Sequence, residues 1–479
     1  MSLKCSAVSG VRWSSASQFG RQAMQLVTTA VLARLLKPSD FGLIGMATIV
    51  IGFISLFKDL GTSAAVIHKQ EIRSDFLSTI YWVNAAFGLI ATIVLLILSS
   101  FVAKFYNEPI VKPLLQLLSV TFFISGLSIL HQAILEREMA FNKLAKLEII
   151  ATLIGSLVGI GSAVLNCGVW SLVFQSIAVT LSTTILLWLN SRWRPAAVFR
   201  WREITTVSGY SINLMGFCIF NYFVRNADYL LIGKFLGAQD LGYYTLAYRI
   251  MLYPLQSITY VVNRVMFPAL SQIQNDNTRF RKVYLIMAGT IAVITFPMML
   301  GLIALVEPFV LVMFGKSWQP VIALLLILAP VGMVQSIGAT VGIIYQAKGR
   351  TDWMFRWGLL TGIVVVSAFA LGLQWGITGV AVAYLIVSAV LVYPNFAIPF
   401  KLISLSVREM IDHLYRPFLC GLTMFFIIYA LRLSMATMVK DSISLVILIP
   451  TGIIIYLLSC MLVNREQTLQ IMNAVRKRT

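Results

Sequence analysis

The sequence predicts an all-α integral membrane protein with about fourteen transmembrane helices. Of its 479 residues, 59% are hydrophobic and 11% are charged, and the mean hydropathy is +0.87, far from the averages of soluble domains. Apolar runs of about 20 residues recur along the chain, and each can cross a hydrocarbon core of roughly 30 Å as a helix. Strands of a membrane barrel would be about half as long and would alternate.

Fourteen apolar runs are the predicted spans. They cover residues 9–36, 41–60, 77–101, 111–135, 147–166, 169–190, 204–236, 241–270, 283–306, 320–347, 354–375, 377–399, 416–437 and 443–463. The N-terminus lacks an apolar core followed by small cleavage-site residues, so we expect no removable signal peptide and assign targeting to the first helix.

Basic residues predict the orientation of the chain, because short cytoplasmic connections retain Arg and Lys. When basic residues toward a span end are counted with the adjoining connection or terminus, the even-numbered connections and the termini hold 26 of the 37 basic residues, the odd-numbered connections hold 8, and 3 lie deeper within spans. Both termini are therefore predicted to be cytoplasmic. The net charge of +19 is spread over all these loops without an aromatic stacking platform. This favours contact with the lipid bilayer and its anionic headgroups over nucleic acid.

Cysteine and histidine residues show no pattern of a metal or catalytic site. The five Cys have no CxxC or Cys/His spacing, and the three His are isolated. The longest polar connection has about a dozen residues, which leaves no room for a soluble catalytic domain. We therefore expect no cofactor, no metal and no enzyme activity.

One hinge in the chain is duplicated. LARLLKPSDFGLIGMA, residues 32–47, aligns with IGKFLGAQDLGYYTLA, residues 232–247, at an offset of 200. The identical pairs are Leu36/Leu236, Asp40/Asp240, Gly42/Gly242 and Ala47/Ala247. GVWSLV at 168–173 aligns with GITGVA at 376–381, and the basic loops LEREMAFNKLA and YQAKGRTDWMF match in charge and aromatic placement. These matches predict two homologous halves.

The predicted architecture is two pseudo-symmetric six-helix lobes around a central cavity, followed by two extra helices. The lobes are assigned to residues 1–202 and 203–400, and the extra helices with a cytoplasmic tail to residues 401–479. An even number of spans per repeat preserves orientation, so the lobes are related by an axis along the membrane normal. Each hinge is interpreted as a turn in which Asp40 or Asp240 caps the next helix.

Three spans carry polar residues at helical spacing, and each of these polar faces holds one Arg. Because a buried charge is costly in hydrocarbon, these residues are candidates for function. The candidates for substrate binding are Gln18, Arg21 and Gln25 in the first span, Asn221 and Arg225 in the seventh, and Arg249 and Gln256 in the eighth. Asp228, assigned to the same face as Arg225, is the candidate for ion coupling.

Three Arg against one Asp favour an anionic ligand, because guanidinium groups bind phosphate bidentately and stay charged when partly desolvated. The three faces are expected to converge on the cavity between the lobes. In the alternative interpretation, Arg225 and Asp228 form an internal salt bridge, and Arg21 and Arg249 reach interfacial water.

Four stretches resemble the polysaccharide-exporter branch of the MOP superfamily, near the colanic acid exporters. They are SGVRW at the start, the LARLLKPSDFGLIGMA hinge, NRVMFPALSQIQND at 263–276 and FGKSW at 314–318. The resemblance implies two six-helix lobes with two extra helices, in the bacterial inner membrane. It also implies that the protein flips an oligosaccharide linked to undecaprenyl diphosphate, without chemistry.

The resemblance extends to the site and to partners. Related lipid II flippases place Arg residues in the first helix and in a basic central cavity, and Arg21 is the counterpart here, whereas Arg225 and Arg249 correspond by helix only. The implied substrate is a lipid-linked anionic oligosaccharide. We expect a monomer, with a polysaccharide polymerase and glycosyltransferases as candidate partners.

Other functions stay open at this point. A cation-coupled multidrug exporter of the same superfamily generally uses acidic groups within the lobes, and the first span has Arg21 but no Asp or Glu. A membrane glycosyltransferase or polymerase would need a metal or carboxylate site, or large loops. A non-transporting component of a polysaccharide assembly complex would not require the charges in the spans. The sugar and the energy source, whether proton, sodium or membrane potential, are left undetermined by the sequence.

Overall fold

The computed structural model describes residues 3–57, 66, 74–200, 212–436 and 439–464, and it is all-helical there. The side chains of 3–17, 19, 212–218, 256–265 and 268 lie outside the described part. Contacts divide the chain into two compact units, Met1–Gly242 and Tyr243–Thr479. The predicted lobe boundary at 202 and 203 falls outside the described residues and stays a prediction.

The first unit contains the helices of the first six predicted spans and of the seventh. They are α1 (Leu3–Leu35), α2 (Pro38–Ser55), α3 (Ser74–Tyr106), α4 (Val111–Gly126), α5 (Ile129–Arg137), α6 (Phe141–Val164), α7 (Trp170–Asn190), α8 (Ile212–Arg225) and α9 (Ala227–Phe235). Helix α10 (Ala238–Gln272) begins in this unit and continues into the second.

The second unit continues with the helices of the later spans. They are α11 (Asn277–Ala304), α12 (Val306–Met313), α13 (Pro320–Gly338), α14 (Val341–Ala347), α15 (Thr351–Gly372), α16 (Gly376–Phe400), α17 (Val407–Met435) and α18 (Asp441–Val463). Within the described residues, nine helical segments are long and apolar enough to cross a membrane, or ten if the bent pair α4 and α5 forms one span. One segment, Thr351–Ile403, contains both α15 and α16. Each of the fourteen predicted spans contains a helix or two consecutive helices.

Left-handed residues lie at helix boundaries at matching places in the two repeats, just after a helix in the first two pairs and at or just before the start of the next helix in the third. A positive φ supports a tight stop after a helix. The matching pairs are Asn107 (57°) with Gly315 (96°), Met139 (56°) with Gly349 (66°), and Gly168 (54°) with Gly376 (68°). The second pair falls in the alignment of LEREMAFNKLA, and the third pair falls in the alignment of GVWSLV. The backbone therefore repeats as the sequence matches predict.

The two copies of the hinge pack directly on each other within the first unit. A Cβ on Gly42 would lie 1.7 Å from the carbonyl oxygen of Ala238, and a Cβ on Gly242 would lie 1.9 Å from the carbonyl oxygen of Pro38. Pro38 and Ala238 hold the same place in the two copies, so the contact is reciprocal. Only glycine permits backbones to approach this closely.

Local hydrogen bonds make each hinge a turn. In the first copy, Pro38 occupies the first turn of α2, and the Lys37 N–H donates to the Asp40 carboxylate at 3.0 Å. In the second copy, Gly237 adopts φ of +89° between α9 and α10. The carboxylate in the first turn also complements the helix dipole.

The contact between the two repeats continues from the hinges along α2. The Tyr222 hydroxyl on α8 donates to the Ile49 carbonyl at 2.6 Å, and a Cβ on Gly52 would lie 2.2 Å from that hydroxyl. The rings of Phe53 and Phe223 pack at 5.1 Å between centroids. Helices α2 and α8 are therefore joined by a polar and aromatic contact as well as by the glycine contact.

The segment 191–200 is bonded to the start of α3 and is called the strap. The Ala196 N–H donates to the Ser78 hydroxyl at 3.1 Å. Arg200 pairs with Asp75 at 2.5 Å. The chain that leaves the first six spans is thereby fixed to the predicted cytoplasmic end of α3.

The core of the second unit lies between α11, α13 and α16, and the two extra helices pack against α11. The hydroxyls of Tyr284 and Thr340 are buried 3.0 Å apart, and the ring of Phe400 lies 5.6 Å from that of Tyr284. On α18, the Tyr456 hydroxyl donates to the Val293 carbonyl at 2.7 Å. Buried polar groups thus pair across helices, as hydrocarbon surroundings require.

We expect Gly42→Ala to lower the free energy of unfolding by about 1–3 kcal/mol, because the added methyl group meets a backbone carbonyl that must move. Thermal unfolding of the purified protein, followed by tryptophan fluorescence, measures this loss. Gly161→Ala is the matched control, since a Cβ there meets no atom within 4 Å in the structure. Equal midpoints for the two variants would contradict the reciprocal hinge contact.

Candidate functional site

The first polar face of the sequence lies where α1 packs against α6. The Thr28 hydroxyl donates to the Ser156 hydroxyl at 2.8 Å, and both side chains are buried. A Cβ on Gly20 would contact the side chain of Ile149 at 3.9 Å. Contacts advance in the same direction along both helices, so α1 and α6 are parallel, as two odd-numbered spans must be.

Arg21 lies on this face and is held by two neighbours. Its Nη2 donates to Gln18 Oε1 at 2.6 Å, and its Nη1 pairs with Glu148 Oε2 at 3.2 Å. The side chains of Arg21 and Glu148 are each 32% exposed. Arg21 Nε is buried and has no hydrogen-bond partner among the described atoms. The guanidinium therefore keeps donor capacity beyond its two contacts.

Glu148 is the site residue that the sequence analysis missed. It is the second residue of the predicted span 147–166, where an acid is easily assigned to the membrane interface. A signal was present, because Glu148, Thr152 and Ser156 recur every four residues and so share one face of α6. The charged candidates for the site are therefore three Arg and two acids, Asp228 and Glu148, and Glu148 is paired with Arg21.

The seventh predicted span is not one helix, because the chain breaks at Asn226 between α8 and α9. Arg225 is exposed at the end of α8, whereas Asp228 is buried in the first turn of α9. The Asp228 carboxylate accepts a hydrogen bond from the Tyr229 N–H at 2.9 Å. A carboxylate here complements the dipole of α9. The single polar face predicted for Arg225 and Asp228 is thus divided between two helices.

The other candidates lie on different helices. Gln25 is exposed on α1, Asn221 is exposed one turn before Arg225 on α8, and Arg249 is exposed on α10 in the second unit. The side chain of Gln256 lies outside the described residues. The structure brings Gln18 and Arg21 together, and the convergence of the three Arg residues on one cavity stays a prediction.

A search of the described residues finds no group of three or more His, Cys, Asp or Glu that could hold a metal ion. His131 is buried against the rings of Tyr81 and Trp188, with centroids 6.3 Å and 4.8 Å away. It is a packing residue of the first unit.

Comparison with known proteins gives consistent likenesses. Residues 31–323 match the family described as polysaccharide biosynthesis protein. The chain is 28% identical over 439 residues to the lipopolysaccharide biosynthesis protein WzxC of Escherichia coli K12, covering 90% of this chain and 88% of that protein. It is 26% identical over 473 residues to the succinoglycan biosynthesis transport protein ExoT of Rhizobium meliloti, covering 98% and 95%.

The fold is also shared with a solved structure. That structure, the lipid II flippase MurJ in an inward closed conformation, has a TM-score of 0.74 at 17% identity and covers 95% of this chain and 99% of its own. The resemblance to polysaccharide exporters inferred from sequence motifs is therefore confirmed by the family match and these relatives, and the solved structure shows the shared fold.

We expect Thr28→Val to lower the free energy of unfolding by about 1 kcal/mol, because it leaves the buried Ser156 hydroxyl without its interhelical donor. Thermal unfolding in detergent measures the change. Thr48→Val is the control, since the exposed Thr48 hydroxyl bonds only to the Ile44 carbonyl of its own helix. A loss no larger than the control's would show that this bond does not hold α1 on α6.

Proposed function

The chain belongs to the family of polysaccharide biosynthesis proteins, and from this membership we propose that it is a flippase for lipid-linked oligosaccharides. It carries repeat units from the cytoplasmic to the periplasmic leaflet for exopolysaccharide or capsule synthesis. The observation that carries the proposal is likeness over nearly the whole chain to WzxC and ExoT, the latter named as a transport protein. The protein is an inner-membrane transporter in this proposal, with both termini cytoplasmic.

The proposed substrate is an oligosaccharide on undecaprenyl diphosphate. Guanidinium groups match phosphate oxygens in geometry and keep their charge when partly desolvated. The residues proposed to bind the diphosphate are Arg21, Arg225 and Arg249, with Gln18, Gln25, Asn221 and Gln256 as polar partners for the headgroup. No covalent bond forms or breaks in the step.

The proposed cycle is alternating access of two lobes. The sugars and diphosphate enter a cationic cavity from the cytoplasm, while the prenyl chain stays in lipid through a lateral gap. The hinges lie in odd-numbered connections, so the predicted orientation places the contact of Gly42 and Gly242 on the periplasmic side. Opening toward the periplasm must part this contact.

Two energy sources are proposed as alternatives for the transport step: coupling to a proton or sodium ion, and the membrane potential. The buried Asp228 is the candidate for proton or sodium coupling, because an intramembrane carboxylate at a helix break is positioned to exchange an ion. The membrane potential could instead act directly on an anionic substrate. A monomer working beside a polymerase and glycosyltransferases is the proposed setting.

Export of organic cations is the disfavoured function within the same fold. Such a ligand requires an available anion in the lobes. Glu148 is an acid in the first unit, but Arg21 neutralises it at 3.2 Å. The pair leaves no net negative charge to attract a cationic drug.

We expect Arg21→Ala and Arg249→Ala to lower polymer export at least about tenfold, because each removes a charge that the diphosphate requires. Export is measured in cells that depend on this protein, after both variants are shown to be folded and inserted. Arg21→Lys should fall between, since it keeps the charge without the planar fork.

Arg408→Ala is the control, because Arg408 is exposed at the start of α17 and belongs to none of the three predicted polar faces. Normal export by the Arg21 and Arg249 variants would refute the proposed site. Glycosyltransferases encoded beside the gene for this protein indicate which repeat units to test. Flipping assays in vesicles with these defined lipid-linked glycans then identify the sugar.

A further inference from the structure

We propose that Glu148 is the internal counter-ion of the substrate site, which holds Arg21 in the empty protein and is displaced by the substrate's diphosphate. This inference rests on the proposed function and adds a residue that sets affinity and release. Glu148 thereby acts as a positioning residue, since it works through Arg21 rather than by contact with the sugar or the lipid.

The geometry of Arg21 suits an exchange of partners. The guanidinium uses Nη1 for Glu148 and Nη2 for Gln18, while Nε has no partner among the described atoms. A phosphate that takes the place of Glu148 meets Nη1, and the second proton of Nη2 lets it bind the two terminal nitrogens of the planar group bidentately. The pair is one-third exposed on each side, so an ion can reach it without unfolding the helix contact.

The charges favour the exchange and then its reversal. A diphosphate carries more negative charge than a carboxylate and offers more acceptor oxygens, so it competes successfully for Arg21. Once displaced, Glu148 stays beside Arg21 and competes with the diphosphate for the same guanidinium. Return of Glu148 to Arg21 expels the diphosphate. The carboxylate therefore lowers affinity and speeds release, which keeps a tightly binding headgroup from remaining trapped.

A purely structural role does not account for the pair. The contact between α1 and α6 already includes the buried bond between Thr28 and Ser156. A partly exposed ion pair adds little to stability beyond this. What the pair does provide is a neutral resting state for a guanidinium that lies within a span.

The test is a binding measurement on the purified full-length protein in nanodiscs, with farnesyl diphosphate as the probe. We expect Glu148→Gln to bind about five- to tenfold more tightly than the wild type, because the competing charge is gone while the shape is kept. Arg21→Gln should bind at least tenfold more weakly. In the double variant the gain from Glu148→Gln should vanish, since the proposed competition of the carboxylate is for Arg21. Inorganic pyrophosphate, as a second probe, should show the same order, because the diphosphate is the recognised group.

A kinetic measurement separates this role from a structural one. In vesicle flipping assays, Glu148→Gln should lower the apparent KM and also lower the maximal rate, since release becomes slow. Glu148→Asp, which keeps the charge on a shorter side chain, should lie nearer the wild type. Glu136→Gln is the matched control, because Glu136 bonds to Gln132 and its loss removes the same charge without touching Arg21.

The outcomes distinguish this inference from the proposed function. If the wild type binds farnesyl diphosphate through Arg21, but Glu148→Gln binds equally or more weakly, the counter-ion role is wrong and the site stands. If the gain persists in the double variant, Glu148 does not act through Arg21 and the inference also fails. If Arg21→Gln binds as well as the wild type, the proposed site itself is refuted.

Discussion

The close approach of two backbones at Gly42 and Gly242 is the constraint on which much of the first unit depends. A carbonyl from each hinge occupies the space where the other would carry a Cβ, so neither position tolerates a larger residue without movement. The turn before α2, the start of α10 and the contacts from Gly52 to Tyr222 all lie along this approach. A sequence duplication has thus become a physical contact between its two copies.

Charge within the helices follows a second constraint, that polar groups in hydrocarbon must find partners. Arg21 meets it through Glu148 and Gln18, and the buried hydroxyls of Thr28 and Ser156 meet it through each other. Arg225 and Arg249 are exposed instead, with no ion-pair partner in the described part of the chain. The first helix therefore holds a neutralised cation, and the other two cations face outward from their own helices.

Much of this fold could be predicted from the sequence, because hydropathy and helical length are local properties. The spans, the duplication and the turn at the hinge are all of that kind, and the matching left-handed residues at Met139 and Gly349 agree with them. The break at Asn226 and the partner of Arg21 could not be predicted in the same way. Both depend on neighbours distant in sequence. Helical spacing assumes an unbroken helix, so it indicates neither where a helix ends nor which acid on another helix contacts Arg21.

The strap limits the movement of α8, on the side of the membrane that the proposed orientation makes cytoplasmic. Arg200 is anchored to Asp75 at the start of α3, and α8 begins at Ile212. The twelve peptide units between them extend to at most roughly 40 Å. While the ion pair of Arg200 and Asp75 holds, the start of α8 therefore cannot lie farther from Arg200 than this maximum chain length. In the proposed cycle, the separation of α3 and α8 that an entering headgroup can force has an upper limit set by chain length, whatever the size of the sugar.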